Sequence, residues 1–289
     1  MQSVLAVIKD FKTDSVLLTK AIRFSPDRLC VMLIRPEGDD NDEQFSDQVT
    51  QYVDKQYSRK QGLNKEGCQP ASLDIIFSDE SNELGLADLL VRVAETYLSD
   101  LIMLMKPEIS DNLEGLSLVK HLLRTASQAK ICLCRQNAWA EQAQVMCALD
   151  IESEDNAQNT LDEKVLKYAN VKLKEPLPAD LHLASVIAVS RISEELDLVE
   201  PASILAKKGK GIKEKLLAFE QKNSVTGSII HVAAGIPYKE IPSLAKKKNI
   251  DIVVLGNVGR KGLKGLVIGN TAEKIIKNLS SDIIVINAL

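Results

Sequence analysis

Between residues 251 and 286 the chain reads DIVVLGNVGRKGLKGLVIGNTAEKIIKNLSSDIIVI, and five of its 14 glycines fall between 256 and 269. An apolar run enters Gly256-Asn-Val-Gly259. A basic loop with Arg260, Lys261 and Lys264 follows, and Gly269-Asn270-Thr271 opens an amphipathic stretch. Glycine lets the backbone approach a ligand closely. A glycine loop that ends at a helix N-terminus holds anions, because its N–H groups converge and the helix dipole favours negative charge. The chemistry on offer is the cradling of a phosphate. The spacing G-x2-G-x9-G-N-T is not a P-loop, which needs G-K-[ST], and not the G-x-G-x-x-G dinucleotide loop. Asn270 and Glu273 have a second reading, as a helix N-cap box.

No catalytic constellation competes with this loop. There is no Ser-His-Asp elbow, no HExxH, no EF-hand loop, no SGGxDS and no HIGH-type motif. The three histidines, His121, His182 and His231, read as isolated, with His231 a satisfied core or switch-point side chain. Cys30, Cys132, Cys134 and Cys147 lie in apolar runs and Cys68 in a loop, without a CxxC. They read as reduced core cysteines, and no metal site is expected.

The elements that must position the loop follow from periodicity. Apolar strands are expected at 3–10, 28–35, 71–77, 100–105 and 130–134, with helices near 13–24, 42–61, 84–98 and 114–127. The second half repeats the plan. Its strands are expected at 144–151, 182–189, 228–233, 251–255 and 282–286, and its helices near 159–173, 200–222, 238–248 and 270–279. Runs such as VLAVI and LIMLM are apolar throughout, as in parallel strands buried on both faces. Asp10 and Asp150 each end the first strand of a half. The offset between halves grows from 140 to 151 residues, which places an insertion of about 11 residues near Lys172–Pro178. The expectation is an α/β chain of two doubly wound parallel five-stranded domains, 1–138 and 139–289, joined near Trp139.

Composition sets the outer limits. At about 150 residues per domain, 289 residues suggest two. Apolar residues are 45% and charged residues 26%, the mixture of a folded globular protein. Aromatics are only 4%, too few for stacking platforms on single-stranded nucleic acid. No run approaches the length of a membrane span and no leader pattern is visible, so a cytoplasmic protein without membrane or nucleic-acid partners is expected. The net charge of −4 is uneven. Residues 201–289 hold 15 Lys and Arg against 6 Asp and Glu, a balance of +9 that would attract an anion.

The pattern Gly256-x2-Gly259-x9-Gly269 resembles the nucleotide-binding signature of the universal stress protein family, G-x2-G-x9-G-[ST]. The two repeats, together with His231-Val-Ala-Ala-Gly235-Ile-Pro237 and Gly269-Asn-Thr-Ala-Glu273, resemble that family's tandem, E-type members. The resemblance implies flavodoxin-like, HUP-type sheets of order 3-2-1-4-5. It implies a stress-response protein, not an enzyme, that binds ATP or a related adenine nucleotide, with Mg as an optional companion. Asp150, with Ile151 beside it, would meet the adenosine, and Val189 would offer backbone to adenine. Gly256, Gly259, Arg260, Gly269, Asn270 and Thr271 would hold ribose and phosphates. One departure stands out: Asn270 occupies the Ser/Thr position, with Thr271 one residue later. The matching stretch of the first half, residues 106–117, has one glycine, Gly115, and the acids Glu108, Asp111 and Glu114. Nucleotide is therefore expected in the C-terminal domain only. Two alternatives stay open: a slow ATP-hydrolysing or phosphate-metabolite enzyme, and a ligand-free scaffold for protein partners. The family's dimer is expected inside the chain as a pseudo-dimer, with a homodimer also open.

Overall fold

The computed structural model describes residues 2–35, 41–61, 72–80, 82–107, 116–126, 128–174, 176–190, 200–258 and 269–288. The chain divides into two units, Met1–Ala138 and Trp139–Leu289. The first runs β1 (Ser3–Ile8), α1 (Phe11–Arg23), β2 (Arg28–Ile34), α2 (Asp42–Gln61), β3 (Ser72–Ser78), α3 (Glu83–Thr96), β4 (Leu101–Met105), α4 (Leu116–Thr125) and β5 (Lys130–Cys134). The second runs β6 (Ala143–Leu149), α5 (Asn156–Tyr168), a π-helical turn (Ala169–Lys174), β7 (Ala179–Ala188), α6 (Pro201–Lys222), β8 (Ile229–Gly235), α7 (Pro237–Lys247), β9 (Ile252–Asn257), α8 (Asn270–Asn278) and β10 (Asp282–Asn287).

Within each unit all five strands are parallel. Their order is β3-β2-β1-β4-β5 in the first and β8-β7-β6-β9-β10 in the second. This is the 3-2-1-4-5 order twice. The central strands are largely apolar on both faces because helices cover both: β1 is buried at every position and β9 at all but Gly256. Edge strand β3 is only half-buried throughout. None of the described helices is long and apolar enough to cross a membrane. The four described cysteines are buried and form no disulfide, and burial, then the charge of Asp74, pushes the Cys30 thiol up to about 12.

The insertion in the second unit is not one block near residue 175. Ser3 pairs with Arg28 and Ala143 with Ala179, separations of 25 and 36 residues, so the extra 11 are present. They are split on either side of α5. One part lengthens the loop before the helix, which Asp155 caps by accepting from the Ala157 N–H at 2.9 Å. The other is the π-helical turn after it. Strand β7 also begins three residues earlier than its apolar pattern suggests, since Ala179 to Leu181 continue the ladder on β6.

The histidines are not isolated. His121 meets Asp88 at 2.7 Å, and His182 and His231 stack with Nδ1···Nε2 at 2.8 Å. Sequence distance hides the second pair, which neighbouring parallel strands bring together. The Gln144 amide donates to Asp180 at 3.0 Å, and its Oε1 meets His182 Nε2 at 2.8 Å. His182 thus donates through Nε2 and accepts at Nδ1 from the Nε2–H of His231. Burial, then the neighbouring His182 and Lys248, depresses His231 to about 4. A depressed histidine favours the fold while neutral, so its contribution is complete above the unfolded value of about 6.5 and is lost as pH falls towards 4. An NMR titration should show one imidazole with a midpoint near 4. A midpoint near the ordinary value would show the pair to be open in solution.

Candidate functional site

In a doubly wound sheet the crevice forms where the strand order reverses, beyond the carboxyl ends of the strands. In the second unit that point lies between β6 and β9, which pair Val145 with Ile252. A cavity of about 430 Å³ opens there. Leu149 and Asp150 of β6 and its following turn, and Leu255 to Val258 of β9, form its floor. Val186 and Ala188 of β7 and Ile241 of α7 make an apolar wall, and Gly269, Thr271 and Ile275 bring the start of α8 over it. Asp150, Gly256, Gly269 and Thr271 are therefore gathered around one space. Ile151, Val189 and Asn270 do not line it, and Gly259 and Arg260 lie outside the described residues, as do 108–115 of the first unit. The Val189 N–H donates to Gly235 O at 2.9 Å, so that donor is already engaged.

The two described glycines of the loop differ. A Cβ on Gly256 would fall 2.5 Å from Leu161 side-chain carbons of α5. Gly256 is thus required by close helix-on-strand packing, with or without a ligand. Gly269 has nothing among the described residues within 4 Å of a Cβ and an ordinary φ of −62°. Neither space nor backbone demands glycine there. Gly269 is also the N-cap of α8, so Asn270 is the first helical residue and the expected Asn270–Glu273 capping box does not form. Among the described residues no side chain caps this helix. Its positive end lies at the cavity, where Gly269 and Thr271 line it.

Two further residues hold the site, and both are missing from the sequence expectations. Asn257 is 1% exposed; its Oδ1 accepts from the Gly269 N–H at 3.2 Å and its Nδ2 donates to Asn287 Oδ1 at 3.0 Å. The signal was a polar residue closing two otherwise apolar strands. Asp162 of α5 is also 1% exposed and accepts from the Asp150 N–H at 3.0 Å and from Gln158 Nε2 at 2.7 Å. Gln158 in turn lines the cavity. In the first unit Asp14 does the same for the strand end, accepting from the N–H groups of Lys9 at 2.8 Å and Asp10 at 3.3 Å. The acids after the strands differ. Asp10 caps α1 by accepting from Lys12 N–H at 3.1 Å, whereas Asp155 takes that task in the second unit. Asp150 is thereby released towards the cavity. Partial burial, then Glu152, raises the Asp150 carboxyl.

Replacing Gly256 by Ala should cost about 1–3 kcal/mol of stability, since the new methyl group overpacks against Leu161. Gly269→Ala should cost under about 1 kcal/mol, a change of cap residue without a clash. Urea unfolding of both variants checks the contrast. Asp162 supplies a pH test. Burial pushes its carboxyl up to about 7 against the Gln158 and Asp150 hydrogen bonds, which oppose the shift. The folded state thus holds a proton that the unfolded chain releases near 4, and stability falls as pH rises from about 4 to 7. His231 works in the opposite sense over part of that window, so the measurement is a difference. From pH 5 to pH 8, Asp162→Asn should gain about 2–3 kcal/mol relative to the unsubstituted protein. No relative gain would mean that the carboxyl stays ionised.

Comparison with known proteins places this geometry. Residues 144–287 match the Universal stress protein family. Universal stress protein E of Salmonella typhi is 33% identical over 170 residues, 57% of this chain and 53% of that protein. The homolog from Haemophilus influenzae is 28% identical over 159 residues, 53% of this chain and 50% of that protein. The chain thus spans about half the length of the curated relatives it matches. A crystal structure of a putative universal stress protein from Pseudomonas aeruginosa superposes with a TM-score of 0.70 at 20% identity, over 99% of this chain and 93% of that one. One from Archaeoglobus fulgidus gives 0.53 at 13% identity, over 99% and 98%. These two share the fold. With its second unit carrying the family domain around the cavity, the chain belongs to the universal stress protein family.

Proposed function

We propose that the second unit binds ATP or a related adenine nucleotide and that the protein acts as a nucleotide-responsive stress protein, not as an enzyme. The observation that carries this reading is the N-terminus of α8, without a side-chain cap among the described residues, at a cavity of about 430 Å³ on the β6/β9 switch point. The N–H groups of that helix and the Thr271 hydroxyl are matched to phosphate oxygens. Asp150, which lines the cavity and does not cap α5, would accept from ribose hydroxyls. The apolar wall of Val186, Ala188 and Ile241 suits the flat face of a base. Gly259, Arg260 and Asn270 are assigned to the phosphates from the sequence pattern. Among the described residues no three His, Cys, Asp or Glu side chains gather to hold a metal ion, so Mg would arrive with the phosphates. The first unit lacks the glycine loop in its sequence, and we assign it no nucleotide.

Isothermal titration with ATP, ADP and AMP tests this. One nucleotide should bind per chain. Gly269→Val should abolish binding without unfolding the protein, because its Cβ meets nothing among the described residues within 4 Å. Asp150→Ala should weaken binding by about tenfold, the worth of one hydrogen bond to a charged group. Two equivalent sites would overturn the restriction to the second unit. Absence of binding for all three nucleotides would favour a scaffold, and repeated turnover lost in Asp150→Ala would favour an enzyme.

A further inference from the structure

The first unit has a second, smaller cavity at the opposite edge of its sheet, beside the amino ends of β4 and β5. It measures about 220 Å³ and is lined by residues between Val91 and Asp100 and, after α4, by Ala126, Gln128 and Ala129. At about 30 Å³ per water that is room for roughly seven waters, or for one short organic molecule.

Three features of this cavity point to an occupant. The first is Ser99, which lines it, is 6% exposed, and has a hydroxyl without a hydrogen-bond partner among the described residues. A buried polar group left unpaired is destabilising unless something occupies the space before it. The second is Leu98, at the lip. Four non-glycine residues have positive φ, and each follows the end of a helix: Ser25, Leu98, Ser224 and Asn249. Serine and asparagine tolerate that conformation better than leucine, for which it is strained. Leu98 sits there at φ 50° with 70% of its surface exposed, where its backbone lets the Ser99 N–H close α3 on Ala94 O at 2.7 Å but its side chain gains little packing. The third is charge. Glu95 and Asp100 line the cavity, and among the described residues no Lys or Arg does; the Asp100 carboxylate also accepts from the Ser3 N–H at 3.1 Å. Helices α3 and α4 both end here with their negative poles; Arg124 lies in the last turn of α4, whereas the last turn of α3 holds no basic residue. Val91, Ala94, Ala126 and Ala129 supply the apolar wall.

Negative potential, an apolar wall and an orphan hydroxyl together define a complementary ligand. We infer that this cavity binds a short-chain alkylammonium ion. The ammonium group would lie between Glu95, Asp100 and the Ser99 hydroxyl, and the hydrocarbon would lie against Ala94, Ala129 and Leu98. The inference is independent of the nucleotide site, which lies in the other unit.

The test is titration of the full chain with n-butylamine at neutral pH, followed by NMR shift changes, with n-butanol and butyrate as neutral and anionic controls. Saturable binding of the amine is expected, with both controls about tenfold weaker or more, as one lost charge-assisted contact implies. Glu95→Gln and Ser99→Ala should each weaken the amine by a similar factor. Leu98→Asn separates function from folding: it should raise the melting temperature by relieving strain, yet weaken the amine. Butyrate binding as well as the amine, no saturation by the amine, or unchanged affinity in all three variants would each overturn the assignment.

Discussion

Helix α5 approaches β9 so closely that position 256 has no room for even one side-chain carbon, and much of the second unit's site follows from that contact. Leu161 rests on the glycine. Its neighbour Asp162 is thereby held beside the end of β6, where it takes the Asp150 N–H, and Gln158, one turn earlier, reaches the cavity. The spacing of one helix turn converts a packing requirement into the placement of two polar groups. A glycine read from sequence as ligand-facing thus serves first as a contact point between a helix and a sheet.

The fold was legible because it rests on patterns that a linear chain displays. Unbroken apolar runs such as VLAVI and LIMLM can only be strands covered on both faces, and their repetition at a near-constant offset exposes the duplication. The site was legible where it depends on backbone, as with Gly269 and the start of α8. It was not legible where it depends on long-range side-chain pairing. Asn257 and Asn287 are 30 residues apart, and His182 and His231 are 49 apart; only strand register brings each pair together. The capping box also misled, because Asn270 and Glu273 have the right spacing but Asn270 is already the first helical residue and the cap position falls on Gly269.

The two units show how one framework separates structural from chemical duties. Both keep a buried aspartate on the first helix that accepts from backbone at the strand end, Asp14 in one and Asp162 in the other. Both keep an aspartate after the strand. In the compact first unit that second aspartate is consumed as a helix cap. The longer loop of the second unit supplies a different cap and leaves Asp150 available. A few added residues before α5, and a matching π-helical turn after it, suffice to change the employment of a side chain without altering the order of the sheet.

The clip that holds α8 has a consequence of another kind. It runs from the Gly269 N–H through the Asn257 amide to the Asn287 amide, and every member is uncharged. Dissolved ions screen charge pairs but leave a buried amide ladder untouched, and no proton leaves or joins it at physiological acidity. If the helix holds an anion as proposed, ionic conditions would alter how tightly it is held without moving the point at which it is held. The seat would then serve as a fixed fiducial mark, against which a change in the occupant's charge registers as a change in affinity alone.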